Sequence, residues 1–223
     1  MNSILILLLL IICAALPAII LYLWFRAVKS PVTLPWFLAS LAAGMVSLVI
    51  AARIQSFFPS PGNTDELWTL FFAVFIRIAF VEEASRLFTL FPFIKAATQR
   101  RDFAAALGFA AGLGFAAAEN ALYGMADINI ILFRIFTAAP LHGACGIRTG
   151  TALSKLRHQP VRAIFLFISV VIIHGAYNLT ILSPAIPSTL AVPTALVALF
   201  ISLPLLKTTG TDDENNMIFS PRA

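Results

Sequence analysis

Glu82 and Glu83 stand side by side in an apolar stretch, Leu67–Ile94, that is long enough to cross a bilayer. Glu119, His142 and His174 follow in three further apolar segments. One acidic residue at the centre of a membrane helix costs roughly 2.5–3.5 kcal/mol on insertion scales, so acids kept at that depth point to function. A carboxylate can take a proton from water and later return it to a leaving amine. Imidazoles and amides can donate to a developing oxyanion. The same side chains can bind zinc, which lowers the pKa of its bound water. A base, an activated water and an oxyanion donor are what hydrolysis of a peptide bond within a membrane requires. The helical zinc signature His-Glu-x-x-His does not occur, so any metal ligands have to come from separate helices.

The segments that must position these groups are apolar helices. Sixty per cent apolar residues, 11% charged residues and a mean hydropathy of +0.94 exclude an ordinary soluble domain. The alternation of a transmembrane barrel is not visible. The fold class expected is all-α, a polytopic membrane bundle of about seven helices: Ile4–Phe25, Val32–Ala52, Leu67–Ile94, Phe103–Tyr123, Ile128–Leu153, Val161–Leu182 and Leu190–Leu206. Residues 1–206 form one transmembrane domain with a catalytic core at 67–182, and 207–223, with Asp212, Asp213 and Glu214, read as a solvated, disordered tail. Met1-Asn2-Ser3 carries no positive side chain and no small-x-small site follows, so a retained first helix is expected rather than a signal peptide. Cys13 and Cys145 both fall inside spans and suggest neither a disulfide nor a thiolate metal site.

Charge orients the bundle. Arg26 and Lys29, then Lys95, Arg100 and Arg101, then Lys155, Arg157 and Arg162, then Lys207 fall in alternate loops, whereas the opposite loops hold Arg53, Asp65, Glu66 and Asp127. This bias places the N-terminus outside and the C-terminus in the cytoplasm. The net charge of +5 is therefore a topology signal and gives no reason to expect nucleic acid.

At ~1.5 Å per residue, Glu83 lies roughly 17 Å from the cytoplasmic edge, Glu119 about 24 Å, His142 about 17 Å and His174 about 20 Å, so four helices deliver polar groups to a similar layer. Arg86 is i+4 from Glu82 and i+3 from Glu83 and is expected to reach both. Gly108, Gly112, Phe115 and Glu119 make one helical stripe, and His142, Gly146 and Gly150 make another, just after a kink expected at Pro140. Asn178 is i+4 from His174 and can orient the imidazole. Arg134 and Arg148 fall near helix ends, where they can snorkel. Arg77 has no assigned role. Buried acids and histidines also serve proton relays, so a proton-coupled carrier or a helix-binding scaffold stands as the alternative. The lack of an internal repeat counts against a carrier.

Glu82-Glu83-x-x-Arg86, Phe115-x-x-x-Glu119-Asn120, His142 and His174-Gly-Ala-Tyr-Asn178, in that order on successive helices, resemble the PrsW family of bacterial intramembrane proteases, which is related to the CAAX prenyl endopeptidases and bacteriocin-processing enzymes. The resemblance covers roughly Leu67 to Leu182. It implies a multi-pass protein of the bacterial cytoplasmic membrane that cleaves a membrane-bound protein such as an anti-sigma factor. By position, it makes Glu82, Glu83, Glu119, His142 and His174 the catalytic set, with Arg86, Asn120 and Asn178 in support. Arg86 stands where the family typically has lysine, and a guanidinium keeps the charge without giving up its proton. A glutamic mechanism that requires no cofactor is favoured over a zinc-dependent one; a metal, if present, would draw on Glu83, Glu119, His142 and His174. The oligomeric state is left open.

Overall fold

A computed structural model of the chain describes residues 3–58, 67–96, 104–125 and 127–206. The acidic tail expected at 207–223 and the loop residues Asp65, Glu66, Arg100 and Arg101 lie outside them. The described residues form helical rods and turns without strands. The rods are α1 (Ser3–Ala27), α2 (Leu34–Gln55), α3 (67–96), α4 (Ala104–Gly124), α5 (128–155), α6 (Pro160–Leu182) and α7 (Ser188–Leu206). Each coincides with a helix expected from the sequence, to within a few residues at its ends. Four of them, α2, α4, α6 and α7, are long and apolar enough to cross a membrane, and α5 makes a fifth when its two bent halves count as one span.

α4 is the centre of the bundle. Of its most apolar stretch 78% is buried, against 39%, 28% and 22% for the stretches of α2, α6 and α7. Its sequence, AAALGFAAGLGFAAAENALYG, is built of small residues that let neighbours approach at backbone distance. The two glycine stripes meet each other there. A β-carbon at Gly108 would lie 2.0 Å from the Gly146 carbonyl oxygen, and one at Gly146 would lie 2.1 Å from the Gly108 oxygen. On the opposite side Gly44 of α2 makes the same kind of approach to Ala111.

Two helices depart from regular geometry beside the polar residues. α3 is α-helical over Leu67–Phe72, π-helical over Ala73–Phe80 and α-helical again over Val81–Ala96. The widened turns end two residues before Glu82. Such π segments are uncommon and cluster at functional sites. α5 breaks between Ile128–Phe136 and Ala138–Lys155, with a 40° bend. The bend falls at Thr137, not at the expected Pro140, because a proline ring clashes with the carbonyl four residues earlier, here that of Phe136, and supplies no N–H to it. Thr137 Oγ1 donates to the Phe133 carbonyl at 3.0 Å and accepts from Tyr177 Oη at 3.1 Å, which ties the break to α6.

Candidate active site

Glu82 and Glu83 begin the second α-helical part of α3 and point to different partners. Arg86 Nη1 donates to Glu83 Oε2 at 2.5 Å, one turn away on the same helix. Glu83 Oε1 accepts from His174 Nδ1 of α6 at 2.7 Å. Both oxygens of Glu83 are thereby engaged, in a side chain with no exposed surface. α6 can come this close because Gly175 sits against the Phe75 ring, where a β-carbon would be 2.3 Å from it.

Glu82 has a different environment. Its Oε1 accepts from Gln55 Nε2 at 3.1 Å, and its buried Oε2 has no hydrogen-bond partner among the described residues. The nearest imidazole nitrogen to that free oxygen is His174 Nε2, at 3.5 Å. Arg86 does not reach Glu82; the expected bifurcated pairing is met for Glu83 alone.

Arg86 Nη2 instead donates to His142 Nδ1 at 3.1 Å. A guanidinium only donates, so His142 Nδ1 carries the lone pair and its proton sits on Nε2. That N–H is directed at Glu119 Oε2, 3.0 Å away. Arg86 lies over the Phe115 ring at 4.6 Å, and the His142 and His174 rings meet edge-on at 4.9 Å. Glu82, Glu83, Glu119, His142, His174 and Arg86 thus form one connected cluster, built as two acid–imidazole pairs bridged by a buried arginine.

Arg134 does not snorkel. The bend in α5 turns it inward, where it is buried. It donates through Nε to Asn120 Oδ1 at 2.7 Å and through Nη2 to Glu119 Oε2, and it stacks on Tyr123. Arg148 is half-buried and bound to Ser202 and Ser169 at 2.8 and 3.0 Å. Asn178 is half-buried and makes no hydrogen bond among the described residues; Glu83 orients His174 in its place. Arg77 is half-buried in the π segment, its Nε without a partner, and nothing in the structure explains it. Gln55 and Arg134 are the two contributors that sequence reasoning missed.

The donor set suits a divalent cation. Two ligands held at ~2.0–2.1 Å around tetrahedral zinc sit about 3.4 Å apart, close to the 3.5 Å between His174 Nε2 and the unpartnered Glu82 Oε2. Glu83 bonded to His174 Nδ1 is the carboxylate–histidine arrangement that supports metal-binding imidazoles. Glu83, Glu119 and His142, which the sequence offered as ligands, also make hydrogen bonds within the protein. A second grouping, Glu83, Cys145 and His174, keeps its donor atoms within 4.8 Å of one another and includes a thiol the sequence had set aside. Charge points the same way. Three carboxylates face two guanidiniums, which leaves one negative charge for a proton or a cation to balance.

These features define a helical membrane protein with a buried acid–imidazole centre. A model of the PrsW family intramembrane metalloproteases matches residues 32–206, and the chain belongs to that family. It is accordingly an intramembrane protease, a peptide hydrolase whose substrates are membrane proteins. The family's description as metalloproteases does not support the expectation that no metal is required. No curated protein and no solved structure gives a significant match to the chain.

Proposed function

We propose that this protein is an endopeptidase of the bacterial cytoplasmic membrane that hydrolyses one peptide bond of a membrane-bound protein, an anti-sigma factor being one example. The proposed topology crosses the bilayer seven times, with the N-terminus outside and the C-terminus in the cytoplasm, because basic residues recur in alternate loops. Residues 1–206 form the membrane domain and 207–223 a cytoplasmic tail. The observation that carries the mechanism is the free, buried Oε2 of Glu82 beside His174 Nε2.

Glu83 accepts the Nδ1 proton of His174, which leaves Nε2 with its lone pair towards Glu82. A water placed between Nε2 and Glu82 Oε2 meets two proton acceptors. Glu82 takes the proton as the water attacks the carbonyl carbon, then returns it to the leaving amine. Gln55 holds the other oxygen of Glu82 and limits its rotation. Glu119 and His142 Nε2–H, bonded to each other, provide a second acid–imidazole pair beside the first. His174, with Glu82 or with Glu83 and Cys145, would hold a divalent cation, which when bound would polarise the water and the carbonyl and lower the water's pKa.

The test uses purified protein in detergent and a quenched single-span peptide, an Ala/Leu helix interrupted by a Gly-Gly pair, because a helical backbone must unwind before its peptide bond can be attacked. Cleavage by the wild type that chelation suppresses and zinc restores is the expected result. Cleavage that survives chelation would mean the carboxylates suffice, the mechanism anticipated from the sequence. No cleavage of this peptide or of any single-span membrane protein, with zinc supplied, would overturn the reading.

A further inference from the structure

Asn120 is fully buried, and its Nδ2 has no hydrogen-bond partner among the described residues. The amide's orientation is fixed, because Arg134 Nε can only donate and therefore claims Oδ1, at 2.7 Å. What remains is an N–H₂ group locked in place without a partner among the described residues. It stands on α4 directly after Glu119, and the same guanidinium holds that carboxylate through Nη2. Arg134 is itself buried, stacked at 4.3 Å on Tyr123 and carried inward by the break at Thr137. A buried donor is normally paired, and this one is held by a charged side chain that also binds the neighbouring Glu119.

We propose that Asn120 and Arg134 form a carbonyl-binding pair, in which Arg134 is the positioning residue and Asn120 Nδ2 donates to the oxygen of the peptide bond being cut. The proposal rests on the endopeptidase reading and adds to it the group that receives the developing negative charge. An amide donor suits that oxygen, since its hydrogen bond strengthens as charge builds there. The guanidinium on Oδ1 polarises the amide and makes Nδ2 a better donor. Asn178, the amide that the helical spacing placed beside His174, is half-buried and makes no such contact among the described residues.

Asn120→Asp keeps size and the Arg134 contact but removes the donor; Asn120→Ala removes both, and Arg134→Lys keeps the cation but not the fork. Turnover of the quenched Ala/Leu peptide and inhibition by its aldehyde, whose hydrate mimics the tetrahedral intermediate, are measured beside the melting temperature. Asn120→Asp and Asn120→Ala are expected to lower kcat on the order of 10²-fold at little-changed KM, and to weaken the aldehyde by a similar factor. Arg134→Lys is expected to fall between them and the wild type. A folded Asn120→Asp protein with kcat near the wild-type value overturns the pair, as does a kcat loss that leaves aldehyde affinity unchanged. No cleavage by the wild type overturns both the pair and the endopeptidase reading, whereas cleavage that resists Asn120→Asp overturns the pair alone.

Discussion

Glu82→Gln is expected to lower peptide cleavage on the order of 10³-fold or more while the protein stays folded, because it removes the one carboxylate of the α3 pair that has a free oxygen. The amide is the same size and still offers an oxygen to Gln55 Nε2. It also balances the cluster, leaving Glu83 and Glu119 to face Arg86 and Arg134. Glu83→Gln should behave differently. Arg86 has no exposed surface and its Nε already lacks a partner, so the carboxylate on Nη1 is its one counter-charge among the described contacts. Breaking a buried ion pair from one side costs about 3–5 kcal/mol, since a charge is left uncompensated. The adjacent acids are thereby separated: loss at 82 appears in turnover, and loss at 83 appears first in the melting temperature. Turnover and thermal unfolding in the same detergent check both. A Glu82→Gln protein that cleaves at the wild-type rate would remove Glu82 from the chemistry, whatever the result at 83.

That separation was not legible in the sequence, and the reason is geometric. Helical spacing says which residues share a face, so it placed both acids within reach of Arg86. It cannot say which carboxylate a side chain 91 residues away will claim, and His174 claims Glu83. The same limit explains Arg134. Distance from a helix end suggested snorkelling, but Pro140 acts on the carbonyl of Phe136, and the resulting bend turns the preceding half-helix inward. Gln55, the last residue of α2, looked like the start of a loop. The π segment of α3 has no period that an apolar run can display. By contrast, helix positions and both glycine stripes were readable, because hydropathy sets the first and 4-residue spacing of the smallest side chain sets the second.

Those stripes carry the other large effect. Gly108→Ala adds a single methyl group, yet its carbon would stand 2.0 Å from the Gly146 carbonyl oxygen and 2.9 Å from the Gly150 nitrogen. Carbon and oxygen approach to about 3.3 Å at closest in packed helices, so the two backbones must part by roughly 1.3 Å along that line. No rotamer change can relieve a clash between backbone and Cβ. The expected cost is at or above the upper end of overpacking, about 3 kcal/mol, because close packing is the main attraction between helices in lipid. Glu119 and His142 sit on these same two stripes, so their contact opens with the interface. A displacement of ~1 Å at reacting groups costs about 10²-fold in rate even in molecules that stay folded. Gly146→Ala should match Gly108→Ala, since its β-carbon meets the Gly108 oxygen at 2.1 Å. The double variant should cost less than the sum, as both methyl groups push apart the same pair of backbones. Gly143→Ala is the contrasting case: its β-carbon meets the Phe109 ring, at 2.5 Å, and a side chain can turn away. Melting temperature and turnover of the four variants test the series. A Gly108→Ala protein that melts and cleaves like the wild type would show that the backbones are not in contact there, and that something other than this interface holds the two acid–imidazole pairs together.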